Sequence, residues 1–534
     1  MHEAPCGRGT LLESTGSVND APMSRHDEIE RKLDPGSSAV LPSLTDVDGV
    51  TVMGQPVEML LSAVYFDSPD LDLARHGITL RRRTGGDDAG WHLKLPAGED
   101  TRTEVRLPLG RATRTVPAQL LAPVRALVRD RPLTPVARLD TRRLQHDIIG
   151  ADAVVLAQVC VDEVRAERLS GPAHTTDWRE WEVELVHGTR ELLDAIADRL
   201  VAAGASPAAT TSKLRRTLGD LVPPPSAQPS PEQRAQQLAQ GTGAQLLLAH
   251  LAEHIGELHR QDARLRGDQP GAIHKLRIAA RRLRSALKSY RPLLAADSAE
   301  AVGEELRWLG QCLSRARDAQ VLRERLQDLV ASEPEELVLG PVRQRIDDEL
   351  STEYQAGREQ ALEALDSSRY FRLLDALDEL LESPRLTVES QTAAADLLPR
   401  LLDRDMRRLR RAVRDVARAG NPHAHDLALH DARKKAKRLR YAAESAIPVL
   451  PDGAPKLAAA AKKIQETLGE HQDAVVARSK LREYGAATHL SGENGFTFGR
   501  LHALEQARAD EAEAAFESAW DAISTKKLRR WTRS

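Results

Sequence analysis

Aromatic side chains are scarce in this sequence: Phe, Trp and Tyr make up 3% of its 534 residues. That weighs against a binder of single-stranded nucleic acid, which interleaves cations with rings on which bases stack. Cysteine is scarcer still. Cys6, Cys160 and Cys312 lie far apart without paired spacing, which excludes a disulfide framework and a zinc cluster and suits a reducing compartment. No apolar run approaches the roughly 18 residues of a membrane span, and residues 1–23 lack the basic start and apolar stretch of a secretory signal. A cytoplasmic protein without a membrane partner is expected. The phosphate-binding glycine loop G-x-x-x-x-G-K-[ST] is absent too. Neither sign of charge dominates, since 76 basic and 79 acidic residues leave a formal net charge of -3.

What is present is charge segregated along the chain. A hydrophobic content of 41% with 29% charged residues fits a globular protein, and the length calls for two or more domains. Residues 1–24, rich in Gly, Ser, Pro and Thr, read as a disordered lead, and Met23 just before the first patterned segment is a candidate start. From about 26 to 218 short runs alternate at period two, as in 105–109, 153–164 and 178–185, which predicts half-buried antiparallel strands. Helical patches fall near 117–128 and 190–203. The stretch 221–232, with prolines at 223, 224, 225, 229 and 231, reads as an extended linker. Beyond 233 the apolar residues take helical spacing, and this half is expected to be all-α. His423 and His425, two apart in a loop-like stretch, read as surface histidines.

The helical half repeats itself. His274-Lys-Leu-Arg277-Ile-Ala-Ala-Arg281-Arg282-Leu-Arg284 matches His430-Asp-Ala-Arg433-Lys-Lys-Ala-Lys437-Arg438-Leu-Arg440. Downstream, 313–321 with Asp318 matches 468–476 with Asp473, so the offsets are 430 − 274 = 156 and 468 − 313 = 155. Two motifs that keep one offset predict tandem helical bundles, about 233–385 and 390–530. At ~100° per residue, His274, Arg277, Arg281, Arg284 and Lys288 share one stripe of ~80°, opposite Leu276, Ala279, Ala280, Leu283 and Leu287. The second copy sets His430, Arg433, Lys437 and Arg440 opposite Ala432, Ala436, Leu439 and Ala443.

An ordinary solvated face would interleave both signs, because like charges at i,i+4 repel. Asp431 is the single acid in the two segments, and the stripes hold none. That favours a polyanion-binding surface, and arginine forks favour phosphate. With few rings nearby, a ligand of phosphates without bases fits best. These motifs resemble the CHAD family, the conserved-histidine α-helical domains, over about 233–530. The resemblance implies binding of inorganic polyphosphate, with Lys437 standing where the family commonly has arginine.

In the first half, acids and bases share strand faces. Glu28, Glu30 and Lys32 are spaced two apart, as are Glu180, Glu182 and Glu184, with Trp181 and Val183 on the alternate face. Arg81 and Arg83 share a face, as do Arg102, Glu104 and Arg106, and Lys94, Arg142, Arg143 and Lys213 add further cations. Such groups are costly to bury without a ligand. Acids that hold a divalent metal and bases that hold phosphates would account for them. An open sheet with a solvated charged face is the bland alternative.

The ordered set resembles the CYTH family, the triphosphate tunnel metalloenzymes, over about 26–216. The matching residues are Glu28-x-Glu30-x-Lys32, Tyr65-Phe-Asp67-Ser68, Arg81/Arg83, Lys94, Arg102/Glu104, Thr141-Arg142-Arg143, Asp162, Glu180/Glu182/Glu184 and Ser212-Lys213. The resemblance implies a closed antiparallel eight-stranded β-tunnel and a triphosphate bound with Mg2+ or Mn2+. The implied metal ligands are Glu28, Glu30, Asp162, Glu180, Glu182 and Glu184, with Glu28, Glu30 and Lys32 as the catalytic core. Either Arg142 or Arg143 enters the tunnel, and Tyr65-Phe-Asp67 reads as a structural strand end. The expectation is an α+β protein: a tunnel domain over 25–220, the linker, then a helical domain over 233–534. It would hydrolyse inorganic triphosphate or a related compound and bind polyphosphate. A non-catalytic binder at polyphosphate granules stays open, and adenylate cyclisation has no distinguishing residue.

Overall fold

The computed structural model describes residues 23–98, 100–110, 113–210, 212–222 and 229–524. The lead therefore lies outside the described residues save for its last two, and so does half of the linker, residues 223–228. Two compact units divide between Ser226 and Ala227.

The first unit is built on ten strands: β1 (Ser24–Pro35), β2 (Val52–Met53), β3 (Val57–Asp67), β4 (Thr79–Thr84), β5 (Gly90–Gly98), β6 (Thr101–Pro108), β7 (Thr134–Ile149), β8 (Val155–Arg168), β9 (His174–Leu185) and β10 (Ala205–Pro207). Eight of them close a ring in the order β1-β6-β5-β4-β3-β7-β8-β9. Closure depends on β1, which pairs with β6 through residues 24–29 and with β9 through residues 30–33. β2 and β10 are short additions on β7 and β1. The expected eight-stranded closed tunnel is the fold.

Alternation explains why its interior is charged. On two sides of the ring the large apolar residues face outward beneath helices, which turns the charged set of the same strands inward. Leu33, Val159, Trp181 and Val183 pack outside against Leu193, Ile196 and Leu200 of a long helix. Leu80, Trp91, Leu93, Val105 and Leu107 pack beneath Leu120, Val124 and Val128 on another side. At ~1.5–3 kcal/mol for each fully buried side chain, this outer layer is what makes a charged lumen affordable. The helices are α1 (Asp72–Arg75), α2 (Ala118–Leu121), α3 (Arg125–Val128), α4 (Arg190–Ala202) and α5 (Lys213–Leu218). Leu214 and Leu218 of α5 pack with the inward-facing Ala63, Leu139 and Val164, an apolar plug inside the ring.

The second unit is helical: α6 (Pro231–Ala239), α7 (Gly243–Arg266), α8 (Ala272–Ser289), α9 (Ala296–Cys312), α10 (Ser314–Ala331), α11 (Val342–Leu365), α12 (Ser368–Glu382), α13 (Ala394–Val416), α14 (Pro422–Ser445), α15 (Ala454–Leu490) and α16 (Phe496–Ser524). The repeated basic motifs fall on α8 and α14. The downstream motifs fall on α10 and α15, and the copies differ there. The chain breaks between α9 and α10 at Leu313, whereas α15 runs 37 residues without interruption. The loop expected at His423 and His425 is instead the first turn of α14. Asn421 caps it by accepting from the Ala424 amide at 2.8 Å, and Pro422 takes the first helical position.

Candidate functional site

Glu28 and Glu30 are buried on the inner face of β1, with Lys32 one alternation further on. On the adjacent strand, β9 turns Glu180, Glu182 and Glu184 inward, and β8 adds Asp162, which is fully buried. Oxygens of Asp162, Glu180 and Glu182 lie within 4.8 Å of one another. Lys213, the first residue of α5, reaches into this cluster: its Nζ is 2.9 Å from Asp162, 2.6 Å from Glu180 and 2.7 Å from Glu182. Lys32 Nζ bridges Glu30 at 2.9 Å and Glu182. Lys94 Nζ is 2.5 Å from Glu28, and Arg102 Nε is 3.7 Å from Glu30. The charged side chains interlock so closely that a cavity of about 80 Å3 remains between them.

Neighbouring charges overturn what burial alone would do. Burial favours the neutral form of Glu30, yet Lys32 and Lys94 bring it down to about 2. Burial likewise works against the charge on Glu182, but Lys213, Lys32 and Arg143 hold it well below the usual carboxylate range. Lys213 is pushed the other way, well above the usual range against its burial, by Asp162, Glu180 and Glu182. Glu184 is the exception. Burial and the adjacent charge of Glu28 push it up to about 7.

Of the two candidate arginines on β7, Arg143 enters the tunnel, bonding Asp162 at 2.7 Å and touching Glu182. Arg142 does not. Its side chain is half exposed on the outer wall, 2.7 Å from Glu58 and 3.3 Å from Glu163, because adjacent strand residues face opposite ways. Arg142 is therefore removed from the substrate-binding set. Tyr65 is more than a strand end: it lines the cavity and its hydroxyl accepts from Arg81 at 3.3 Å. Asp67 is the structural member of that motif, accepting from the Leu73 and Ala74 amides at 2.9 Å.

Glu104 and Arg106, placed on one strand face by their spacing, touch each other inside the ring. Two groups escaped sequence reasoning. His92, buried and inward-facing because Lys94 is, places Nδ1 2.9 Å from Glu104. Asp88 lines the cavity from the turn between β4 and β5 and pairs with Arg83. A turn residue has no alternation to betray its direction.

In the helical unit α8 and α14 lie against each other. Tyr290 Oη is 2.7 Å from Ser445 Oγ, and Arg281 Nε donates to Tyr441 Oη at 3.1 Å. The apolar stripes are buried and the two basic stripes meet. Burial, then the charges of Arg281, Arg433 and Arg277, push Lys437 down to about 6. His274 is lowered by burial and by Arg317, Arg281 and Arg277; His430 is lowered by burial and Lys434. Burial, and then the charges of Arg307 and Arg281, lower Arg284. Arg440 leaves the group for an ion pair with Glu444 at 2.6 Å. Gly469 makes room for Arg433, since a Cβ there would stand 3.1 Å from its Nη2.

Comparison with known proteins matches residues 26–218 to the CYTH domain and residues 249–482 to the CHAD domain. A Mycobacterium tuberculosis protein, called Rv2226 in strain H37Rv and MT2285 in strain CDC 1551 and described as uncharacterized, is 41% identical over 93% of this chain and 96% of its own length. The chain belongs to the CYTH and CHAD families. Among solved structures, PptA from Streptomyces chartreusis is 25% identical with a TM-score of 0.45, covering 53% of this chain and 99% of its own. The CHAD domain from the plant Ricinus communis is 24% identical with a TM-score of 0.41, covering 53% of this chain and 93% of its own.

The CYTH family is metal-dependent, works on triphosphates and includes both triphosphatases and cyclases. The donors in this CYTH tunnel fit such an ion. Asp162, Glu180 and Glu182 converge as three hard oxygen donors, the type of ligand that a divalent cation takes. Glu28, Glu30 and Glu184 form a second acidic grouping, close enough for Glu28 and Glu30 to raise Glu184. No helix among the described residues is long and apolar enough to cross a membrane.

Proposed function

We propose that the CYTH tunnel hydrolyses inorganic triphosphate, or a related triphosphate compound, with Mg2+ or Mn2+, and that the CHAD unit binds polyphosphate. The observation that carries the first part is the three-carboxylate cluster set among Lys32, Arg143 and Lys213 inside a closed ring. Asp162, Glu180 and Glu182 would hold one ion, with Glu28, Glu30 and Glu184 available to a second. A divalent ion bound there supplies charge to the phosphates and lowers the pKa of a bound water. Arg81, Arg83, Lys94, Arg102 and Arg143 hold phosphoryl oxygens and stabilise charge that builds up as the anhydride bond breaks. Lys32 stays protonated, because Glu182 and Glu30 raise its pKa against its burial, and it orients the acids that it bridges. Lys213, which pairs with Asp162, Glu180 and Glu182, would be available to a phosphoryl oxygen where those acids hold an ion.

In the CHAD unit, Arg277, Arg281, Arg433 and Lys437 would grip the polyphosphate chain, with His274, His430 and Arg284 at its margins. Phosphate release from the full chain, assayed on triphosphate, long-chain polyphosphate, ATP and thiamine triphosphate with each metal, tests the catalytic reading. Release from none of them would favour the second reading, a non-catalytic polyphosphate binder at granules. The self-paired, nearly filled tunnel is the observation on that side.

A further inference from the structure

The acids that line the CYTH cavity come from strands, with one exception among the described residues. Asp88 sits in the turn between β4 and β5, and its carboxylate is paired with Arg83. Arg83 stands in a crowded place. Its guanidinium is pushed down to about 9 by burial and by the charges of Arg81 and Arg143. An anion belongs there, and in the structure a carboxylate of the protein fills that role. A carboxylate and a phosphoryl edge offer a guanidinium the same pair of acceptor oxygens.

The turn holds its main chain while leaving the Asp88 side chain free to swing. The Asp88 carbonyl is 2.9 Å from Nε2 of the buried His92. Gly85 and Gly86 take φ values of +82° and +74°, and a Cβ on Gly85 would stand 2.0 Å from the Leu60 carbonyl oxygen, so the turn is built tightly on β3. The Asp88 side chain is 32% exposed against 8% for Arg83, so it can rotate into water without moving the strand ends.

We propose that Asp88 occupies the seat of a phosphoryl group on Arg83 and is displaced by the entering triphosphate, so that it sets the affinity and anion selectivity of the tunnel. The inference rests on the tunnel's binding a triphosphate. An anion of low charge gains too little on Arg83 to evict a carboxylate, whereas a triphosphate that also engages Arg81, Arg143 and Lys94 gains enough. Asp88 thus acts against the wrong ligand more than for the right one.

The test is steady-state turnover of inorganic triphosphate by the full chain, with sulfate as a competing anion, for the wild type, Asp88→Asn and Asp88→Ser. Removing a like charge from the ligand's seat should lower KM about tenfold and strengthen sulfate inhibition by at least as much, without raising kcat. An unchanged or raised KM together with unchanged sulfate inhibition, in whichever variant folds, overturns the proposal. A wild type that neither turns over nor binds triphosphate overturns the tunnel reading on which it rests. A wild type active with variants indistinguishable from it overturns this inference alone.

Discussion

Arg277 Nη1 lies 2.7 Å from Asp318 Oδ1, tying the basic face of α8 to α10. The same pair recurs in the second copy, where Arg433 Nη1 stands 3.9 Å from Asp473 Oδ1 across α14 and α15. The intervals are 433 − 277 = 156 and 473 − 318 = 155, so the repeated motifs are the two halves of one contact. Each arginine comes with a carboxylate, which a phosphate of the proposed ligand would have to outcompete.

Charge reversal at Arg277, Arg433 and Lys437 should therefore weaken polyphosphate binding at least about tenfold, and Asp318→Asn with Asp473→Asn should strengthen it. Titrating the full chain with long-chain polyphosphate at several salt concentrations checks both. Each lost contact should make the slope of log affinity against log salt shallower by about one. Equal slopes in native and reversed proteins would make the stripes ordinary solvated surface. Arg281 is left out because its bond to Tyr441 makes it part of the packing between α8 and α14.

Lys437 gives the same site a pH signature. With its pKa pushed down to about 6, the side chain is mostly neutral at pH 7.5 in the free protein. A bound phosphate favours the charged form, so binding should take up as much as one proton, and affinity should climb as pH falls from 8 towards 6. The sign for stability is also defined. Between pH 6 and the ordinary value of 10.5 the unfolded chain holds a proton that the folded chain lacks, so this group lowers stability as pH falls through that range. Calorimetry of binding in two buffers of different ionisation enthalpy measures the uptake. Lys437→Met should reduce it to the smaller share that His274 and His430 supply, and wild-type binding without uptake at pH 7.5 would contradict the assignment.

Arg142 and Arg143 are adjacent and should behave as opposites. Arg143→Ala should cost about a hundredfold or more in kcat/KM on triphosphate, since it removes an interior donor and leaves Asp162 and Glu182 short of a partner. Arg142→Ala should leave kinetics within about twofold, because exposed pairs such as those with Glu58 and Glu163 contribute ~0–1 kcal/mol. Equal losses would contradict the assignment of Arg143 to the tunnel and Arg142 to its outer wall.

Glu182 touches Lys32, Arg143 and Lys213 together. Glu182→Gln should abolish metal-dependent phosphate release and also destabilise the CYTH unit by ~3–5 kcal/mol, because three buried cations lose a shared counter-charge. Mg2+ or Mn2+ should raise the melting temperature of the wild type and not of the variant. A variant that kept both turnover and the metal-induced shift would remove Glu182 from the metal set.

Much of this arrangement follows from local periodicity, which a single chain displays by itself. Residues two apart in a strand share a face, so Glu28 with Glu30, and Glu180 with Glu182 and Glu184, were bound to converge once the strands formed. Residues at helical spacing share a stripe, so the cations of α8 and α14 were bound to align opposite buried Leu and Ala. The constant offset between motifs marked the repeat for the same reason.

What periodicity leaves undetermined is which face of an element looks inward and which elements meet. Arg142 and Arg143 differ only in parity, and ring closure through β1 with helices packed outside decided that Arg143 is the interior one. Lys213 reaches the acidic cluster because α5 enters the ring between strands distant in sequence, and Asp88 faces Arg83 because a turn aims it there. In the CHAD unit the two stripes become one site only where α8 packs on α14, and Glu444, one turn beyond the motif, draws Arg440 away from it. The contact that joins α8 to α14, Arg281 with Tyr441, spans 160 residues of chain, so it arises with the burial of apolar faces in the tertiary fold and leaves no mark on any short stretch of sequence.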